Sequence, residues 1–295
     1  MTQPRLLIIG FGYSGRAVAR LARDAGFTVA ATIRDPATRP EDGVDLVPFA
    51  AAAPAIALAT HLFSTVPPPG DGGDGTGADP VLQAHGAAVA AAPALRWIGY
   101  CSTTGVYGDH AGGWVDEATP PTPGQERSLR RLAAEQAWAA LGGRVAVDLF
   151  RIAGIYGPGR SPLDELRAGR GRRVIRPGHM FSRIHRDDIA GAVLAAMRQD
   201  RGPDVRVLNL ADDEPAEAAR VAEEAARLLG IAPPPALPYE EIAPRLSPMA
   251  RSFWQENRRV ASARSQAALG YSWRYPSYRE GLRAILAAER KDGAA

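Results

Sequence analysis

Apolar and polar positions follow two alternating periods along the first two thirds of the chain. Short apolar runs, typical of buried parallel strands, alternate with segments whose apolar residues recur every three to four positions, as in helices. The predicted strands are Arg5–Ile9, Phe27–Ile33, Asp45–Phe49, Thr60–Val66, Leu95–Ser102 and Val145–Arg151. The predicted helices cover Ser14–Ala25, 80–93, 125–141 and Ala216–Leu229. This order predicts an α/β fold on a doubly wound parallel sheet.

A glycine pattern joins the first predicted strand to the first predicted helix. Gly10, Gly12 and Gly15 form G-x-G-x-x-G. The first glycine permits a tight turn, the second lets the backbone approach a pyrophosphate, and the third lets helix and strand pack closely. The helix N-terminus then offers N–H groups to the anion. We therefore expect a dinucleotide site in the glycine turn and at the ends of strands four and five, lined by Gly10, Gly12, Tyr13, Ser14, Gly15, Ser64, Thr65, Val66 and Ser102.

The end of the second predicted strand bears on which dinucleotide is bound. NAD enzymes place an acidic residue there for the ribose hydroxyls, whereas Arg34 stands at this point and suits the 2′-phosphate of NADP. Asp35 follows directly, so a shift of register by one residue would favour NAD. We expect NADP as the cofactor, with NAD as the alternative.

The glycine pattern and the order of elements together indicate a Rossmann-type domain. We expect residues 1–175 to form this NAD(P)-binding domain, with residues 182–210 returning to its sheet. Residues 211–295 are expected to form a smaller, mainly helical substrate-binding lobe. The Gly- and Asp-rich stretch Pro67–Pro80 is interpreted as flexible filler or, alternatively, as a mobile flap over the site. Ile231–Pro248 is interpreted as an ordered connection stiffened by proline.

Composition narrows the class of protein. The chain is 46% hydrophobic, which suffices for a sizeable core, yet no apolar run reaches the ~18 residues of a membrane span. The first residues lead into a strand and not a signal peptide, so the expected location is the cytoplasm. The net charge of +3 is scattered, and we expect no nucleic-acid partner. Cys101 is the only cysteine, which excludes an intrachain disulfide, and we expect no metal site.

Four further stretches stand in the order in which a known family has them. They are YCSTTGVYGDHAGGWVDEATPPTP at 100–123, FRIAGIYGPG at 150–159, SRIHRDDIAGAV at 182–193 and ENRRVASARSQAALGY at 256–271. With the glycine turn they cover most of the chain. The sequence resembles the extended short-chain dehydrogenase/reductase family, in particular its NAD-dependent epimerase/dehydratase group of nucleotide-sugar enzymes.

The resemblance implies roles for individual residues. Thr103 falls where the family has a Ser or Thr that hydrogen-bonds the substrate oxygen. The family's active Tyr, and a Lys four residues later, correspond to Arg127 and Arg131. Arg131 can still bond the ribose or stabilise negative charge, in a chain whose only lysine is Lys291. A guanidinium at position 127 stays protonated and does not relay a proton as a phenol does, so the chain is expected to be an atypical member of the family.

The proton donor and the substrate contacts have several candidates. Tyr107, four residues beyond Thr103, is one candidate acid, and a loop residue or water is another. Arg183 and His185 are expected to contact the substrate, with a salt bridge to a nearby aspartate or a local backbone role as alternatives. The expected function is NADP-dependent oxidoreduction of a small carbonyl or hydroxyl compound by a monomer or homodimer. A non-catalytic NAD(P)-binding redox sensor is the alternative, and a nucleotide-sugar epimerase is third.

Overall fold

The computed structural model describes residues 3–35, 37–38, 40–70 and 78–292, with the side chains of 291 and 292 left out. Half of the stretch expected to be flexible filler or a flap, residues 71–77, therefore lies outside the described residues. The strands are β1 Arg5–Ile9, β2 Thr28–Ile33, β3 Val44–Pro48, β4 His61–Ser64, β5 Trp97–Thr103, β6 Trp114–Val115, β7 Ala146–Ile152, β8 Gly154–Tyr156, β9 Arg173–Ile175, β10 Arg183–His185, β11 Asp204–Leu210, β12 Ala236–Pro238 and β13 Arg259–Val260. The helices are α1 Tyr13–Asp24, α2 Ala53–Leu58, α3 Pro80–Ala91, α4 Glu126–Ala139, α5 Pro162–Arg167, α6 Arg186–Met197, α7 Ala218–Leu229, α8 Tyr239–Ile242, α9 Pro248–Ser252, α10 Ala263–Leu269 and α11 Tyr278–Asp292.

Seven of these strands form one parallel sheet in the order β11-β7-β5-β4-β1-β2-β3. The order reverses between β1 and β4, which makes the carboxyl ends of these two strands the usual ligand-binding position of a doubly wound sheet. Strands buried on both faces favour continuous apolar residues, as in Leu6–Ile9 of β1, and β4 is buried along its whole length. The predicted doubly wound α/β fold is confirmed.

Helices cover both faces of this sheet. Successive residues of β1 point to opposite faces, so Ile8 packs with α1 and α6 on one side while Leu7 packs with α2, α3 and α4 on the other. The face that carries α4 includes Trp138, which is fully buried against Tyr100 of β5. This packing fixes α4 along β5, and the amino-terminal turns of α4 thereby lie beside the carboxyl end of that strand.

A further apolar cluster lies beyond the end of β7. It is formed by Tyr156, Leu163, Ala216, Val221, Ala225, Tyr278, Leu282 and Ile285. Three two-stranded parallel pairs join distant segments: β8 with β10, β9 with β12, and β6 with β13. The last pair brings the segment around residue 260 back to the loop that follows β5. These pairings place the carboxyl-terminal segments against the edge of the large sheet.

Ile231–Pro248 is ordered, as predicted, and carries short elements, including β12 and α8. In the part of the chain that the structure describes, no helix combines the length and the apolar character needed to cross a membrane.

Candidate functional site

The turn between β1 and α1 requires glycine at two positions. Gly10 has φ +98°, and a Cβ there would lie 2.5 Å from the hydroxyl oxygen of Thr65. A Cβ at Gly15 would lie 2.5 Å from the carbonyl oxygen of Gly10. Gly12 is different, because a Cβ there would meet no heavy atom within 4 Å. The turn is therefore closely packed at Gly10 and Gly15 and open at Gly12, as the approach of a pyrophosphate requires.

Two threonine hydroxyls hold the glycine turn. Thr32 of β2 accepts a hydrogen bond from the Gly10 N–H at 3.1 Å, and the Thr65 hydroxyl donates to the Gly10 carbonyl at 2.8 Å. Ser64 and Val66 flank Thr65 at the end of β4, and the buried Ser64 hydroxyl has no partner among the described residues. Side chains from the ends of β2 and β4 thus meet at the turn that follows β1.

The first turn of α1 forms the rest of this groove. Gly12 stands at the N-cap and no side chain caps the helix, so its first N–H groups, beside the half-buried Ser14, face outward. The Tyr13 hydroxyl donates to the Pro158 carbonyl at 3.0 Å, and the guanidinium of Arg186 lies 4.9 Å from the centre of the Tyr13 ring. Burial raises the pKa of Tyr13. An uncapped helix terminus with a cation beside it suits an anionic ligand.

The end of β2 presents the residues that bear on the choice of dinucleotide. Arg34 is exposed one residue beyond the strand and has no partner among the described residues. The Asp35 carboxylate accepts the N–H of Ala37 at 2.8 Å and so shapes its own turn. Arg16 lies 4.2 Å above the Phe11 ring and pairs with Glu41 at 3.3 Å. Sequence reasoning missed Arg16 and Glu41 here, although an arginine next to Gly15 is visible in the sequence.

A cavity of about 360 Å³ opens at the carboxyl ends of β5 and β7, under α4 and the carboxyl-terminal segments. Its lining includes four arginines and one carboxylate, Arg127, Arg131, Arg183, Arg258 and Glu256, together with Thr103 and several apolar side chains. Among the lining residues that the structure describes, Glu256 is the one titratable group besides the arginines. It is 9% exposed and pairs with Arg258 at 2.9 Å, while its second oxygen has no partner in the described part of the chain.

Thr103 and Ser102, which are adjacent, face different surroundings. The Thr103 hydroxyl oxygen accepts the Gly105 N–H at 3.1 Å, which leaves its own proton free to be donated into the cavity. Ser102 is buried, and its hydroxyl donates to Glu135. Glu135 in turn accepts three hydrogen bonds from Arg151, the shortest at 2.8 Å. The structure therefore places Thr103 on the cavity and the Ser102 hydroxyl on a buried ion pair behind it.

Arg127 and Arg131 project from one face of α4 into the cavity, as their spacing of four requires. The Arg131 guanidinium donates to the Cys101 carbonyl and lies 5.8 Å from the centre of the Tyr100 ring. Arg127 donates through Nε to the side chain of Gln125 at 3.1 Å. Burial lowers the pKa of Arg127, with Glu256 acting in the opposite direction, but a guanidinium remains charged in either case.

Tyr107 lies in the core and not on the cavity. It is fully buried, its hydroxyl donates to the Asn209 side chain at 2.8 Å, and the Arg151 guanidinium covers its ring at 4.8 Å. Burial raises the pKa of Tyr107. Asp109, in the loop that follows Tyr107, is also occupied elsewhere, since it accepts the Asn257 N–H at 2.7 Å. The structure does not bring these candidate acids to Thr103.

Arg183 reaches the cavity from β10. Its guanidinium donates to the carbonyls of Phe181 and Ala216 at 2.8 and 3.1 Å. The alternative of a salt bridge to Asp187 or Asp188 is not what the described residues show, because Asp187 pairs with Arg186 and Asp188 accepts from the Tyr271 hydroxyl at 2.9 Å. Asp212 lies close by, and burial raises the pKa of its carboxyl to about 8 against the opposing effect of Arg183.

His185 caps α6, where its Nδ1 accepts the Asp187 N–H at 3.1 Å. Nε2 then carries the proton, and it is buried without a partner among the described residues. This nitrogen would lie 3.6 Å from a Cβ built at Gly157, which places it beside the loop that binds Tyr13 and not in the cavity. Burial lowers the pKa of His185 to about 4, so the ring is neutral near pH 7.

Several lining residues were not predicted. Glu256 and Arg258 belong to a stretch that the sequence matched to the family without assigning roles, whereas Met180 and Phe253 lie outside the four matched stretches. Phe253 is far in sequence from Thr103 and Arg127, so no local sequence pattern indicates that it lines the same cavity. Among the described residues, no group of three or more His, Cys, Asp or Glu is arranged to hold a metal ion.

Comparisons with known proteins give the chain its relatives. No protein-family model matches it. It is 32% identical over 180 residues to the 3-diazoavenalumate denitrifying reductase of a Streptomyces species and 34% identical over 140 residues to Protein YeeZ of Escherichia coli. These matches cover 57% and 46% of the chain, and they span about half the length of the curated relatives, 58% and 47%.

Solved structures match over the whole chain. A functionally unknown conserved protein from Silicibacter pomeroyi is 41% identical with a TM-score of 0.86, over 97% of this chain and 99% of that one. A Methylobacillus flagellatus structure named for the NAD-dependent epimerase/dehydratase group is 25% identical, with a TM-score of 0.73 over 98% and 100% of the two chains. Human epimerase family protein SDR39U1, solved with NADPH, is 19% identical over 95% and 98%, has a TM-score of 0.73 and shares the fold. The chain belongs to the same family as the Silicibacter pomeroyi protein, within the extended short-chain dehydrogenase/reductase superfamily.

Proposed function

We propose that this protein is an NADP-dependent oxidoreductase, an atypical member of its superfamily that works without the Tyr-x-x-x-Lys pair. The observation that carries the proposal is the meeting of two sites at one sheet edge. The open glycine turn at Gly12 and the cavity at Thr103 both lie at the carboxyl ends of parallel strands, close to the point where the strand order reverses. A dinucleotide bound at the first would extend toward the second.

The residues present fit a nicotinamide dinucleotide. Gly12 and the uncapped start of α1 would hold the pyrophosphate, and the buried Nε2–H of His185 is an unpartnered donor beside the same groove. The exposed Arg34 supports NADP, because its guanidinium can pair with a 2′-phosphate. Solved structures of the same fold hold NADPH in one case and NAD in another, so the choice of NADP rests on Arg34.

The chain's own groups would then act on the substrate. When bound, the cofactor supplies or takes up the hydride. Thr103 donates its free proton in a hydrogen bond to the substrate oxygen, and the positive charge of Arg131 stabilises an oxyanion beside it. Since Arg127 stands in the place of the family's tyrosine, water supplies the proton. A net reduction is the favoured direction, in keeping with the Streptomyces relative that is named as a reductase.

The test is NADPH oxidation, followed by nicotinamide absorbance, with a panel of small carbonyl compounds and the diazo compound named for the relative. We expect turnover with at least one acceptor and a loss of about tenfold or more in kcat for Thr103→Ala, since that residue would stabilise developing charge. Thr119→Ala, a threonine outside the cavity that bonds Asp116, serves as the control and should keep full activity. Tight NADPH binding without turnover of any acceptor would overturn the proposal in favour of a redox sensor.

A further inference from the structure

The cavity carries more positive charge than its own walls neutralise. Of its four arginines, only Arg258 forms an ion pair among the described residues, with Glu256 at 2.9 Å. Arg131 and Arg183 donate to backbone carbonyls, which carry no net charge. Clefts lined by one sign of charge attract ligands of the opposite sign. The lining therefore favours an anion as the cavity's ligand.

Of the four arginines, Arg127 has the surroundings that most resemble those of a ligand-binding side chain. One edge of its guanidinium is fixed by the hydrogen bond from Nε to Gln125, and Gln125 itself donates to the Ser252 carbonyl at 2.7 Å. Phe253 lies against the guanidinium at 4.1 Å. Within the described part of the chain, no hydrogen-bond partner or carboxylate pairs with its terminal Nη atoms. A guanidinium oriented by a hydrogen bond and an aromatic face is ready for a planar oxyanion, which it can bind bidentately.

Besides its charged residues and four hydroxyl side chains, the cavity has apolar walls. Side chains on several walls have no polar group, namely Ile152, Met180, Phe181, Phe253 and Val260. A volume of about 360 Å³ belongs to the lower part of the range for small-molecule sites. An inorganic anion would leave these walls in contact with water, whereas a ligand with an apolar body covers them and gains the free energy of apolar burial.

From these observations we infer that Arg127 determines specificity for a small organic acid. The carboxylate group of this substrate binds the Arg127 guanidinium, and its apolar body fills the cavity. The arginine thus replaces the family's proton-transferring residue with a substrate anchor. The inference rests on the proposed function in one respect, that this cavity is the substrate site. It adds the class of substrate, and it assigns a role to Arg127 that does not require proton transfer.

Binding of a probe tests this without turnover. The protein, saturated with NADP⁺, is titrated calorimetrically with trans-cinnamate and with the neutral, nearly isosteric cinnamamide. We expect cinnamate to bind at least about tenfold more tightly than the amide, because hydrogen bonds to charged groups contribute roughly 1.5–3 kcal/mol, equivalent to about ten- to a hundredfold in affinity. Arg127→Gln should remove this preference by weakening cinnamate binding alone, and Arg127→Lys should keep part of it.

The matched control is Arg130→Gln on the same helix, since Arg130 pairs with Glu126 and does not line the cavity. Arg130→Gln should bind cinnamate as the wild type does. Arg127→Gln and Arg130→Gln should both keep the wild-type affinity for NADP⁺. Equal binding of cinnamate and cinnamamide, no cinnamate binding, or an Arg127→Gln variant that binds cinnamate unchanged would overturn the inference. Preferential binding of UDP or inorganic phosphate, included as further arms, would overturn it in favour of a phosphate ligand.

The two proposals fail in different ways. If cinnamate binds through Arg127 but NADPH is never oxidised, the reductase proposal fails and the anion site stands. If NADPH is oxidised with neutral acceptors and Arg127→Gln leaves KM unchanged for carboxylate acceptors, the reductase proposal stands and the role of Arg127 is overturned.

Discussion

Replacing Glu135 by glutamine is expected to destabilise the protein strongly, because it leaves Arg151 charged and buried without its counter-ion. The two residues are 2% and 4% exposed, and their contacts run from 2.8 to 3.3 Å. Removing one partner of such a pair costs about 3–5 kcal/mol. Arg151 keeps its contact with the Tyr107 ring at 4.8 Å, and glutamine keeps one oxygen acceptor, so we expect about 3 kcal/mol.

Urea unfolding at pH 7, followed by tryptophan fluorescence, measures this loss as a change in the free energy of unfolding. Glu126→Gln on the same helix is the matched control. It removes an ion pair at 3.3 Å whose glutamate is 70% exposed, and exposed pairs contribute about 0–1 kcal/mol. If Glu135→Gln costs no more than Glu126→Gln, the Glu135–Arg151 pair is not a stabilising element behind Thr103 and the reasoning fails.

Three further outcomes are expected. Arg34→Ala should weaken NADPH binding by about tenfold and leave NADH binding nearly unchanged in calorimetric titrations, since a lost charge-assisted contact has that magnitude, and equal effects on both would contradict its role. Gly15→Ala should abolish dinucleotide binding and lower Tm, because its Cβ would lie 2.5 Å from the Gly10 carbonyl, and a Gly12→Ala variant that lowers Tm equally would contradict this packing argument. His61, whose pKa burial lowers from 6.5 to about 4, is neutral in the folded state, so stability should fall as pH drops from about 6.5 toward 4. Its share is about 3 kcal/mol, and His61→Gln should have a shallower dependence of unfolding free energy on pH in this window; an unchanged dependence would refute the assignment.

The central strands could be predicted from the sequence because they are buried on both faces, whereas β11, which is exposed over its first two residues, was not among the predicted strands. Apolar runs such as Arg5–Ile9 leave little choice of structure, and Gly10, Gly12 and Gly15 carry a physical requirement for a turn at a fixed position. Helix α2, by contrast, was not predicted. Its sequence APAIAL buries only Ile56, so it presents no amphipathic period to detect.

The cavity was much harder to predict, since its residues meet through tertiary packing. Thr103 and Arg131 were predicted as catalytic from a resemblance and do line the cavity, a placement that leaves their roles to experiment. Tyr107 stood at a suitable spacing in the sequence, yet its partner Asn209 is 102 residues away and draws it into the core. Phe253 likewise packs against Arg127, which is far from it in the sequence, and this contact arises from tertiary packing.

The central claim is that a nicotinamide dinucleotide bound at the glycine turn faces the arginine-lined cavity. A crystal structure with NADP⁺ tests it most directly. The account predicts a pyrophosphate over Gly12 and a nicotinamide C4 atom that reaches the cavity, so that a substrate hydrogen-bonded to Thr103 would lie within about 4 Å of it. A nicotinamide ring directed away from Thr103 and Arg127, or NADP⁺ bound outside the glycine turn, would contradict the account.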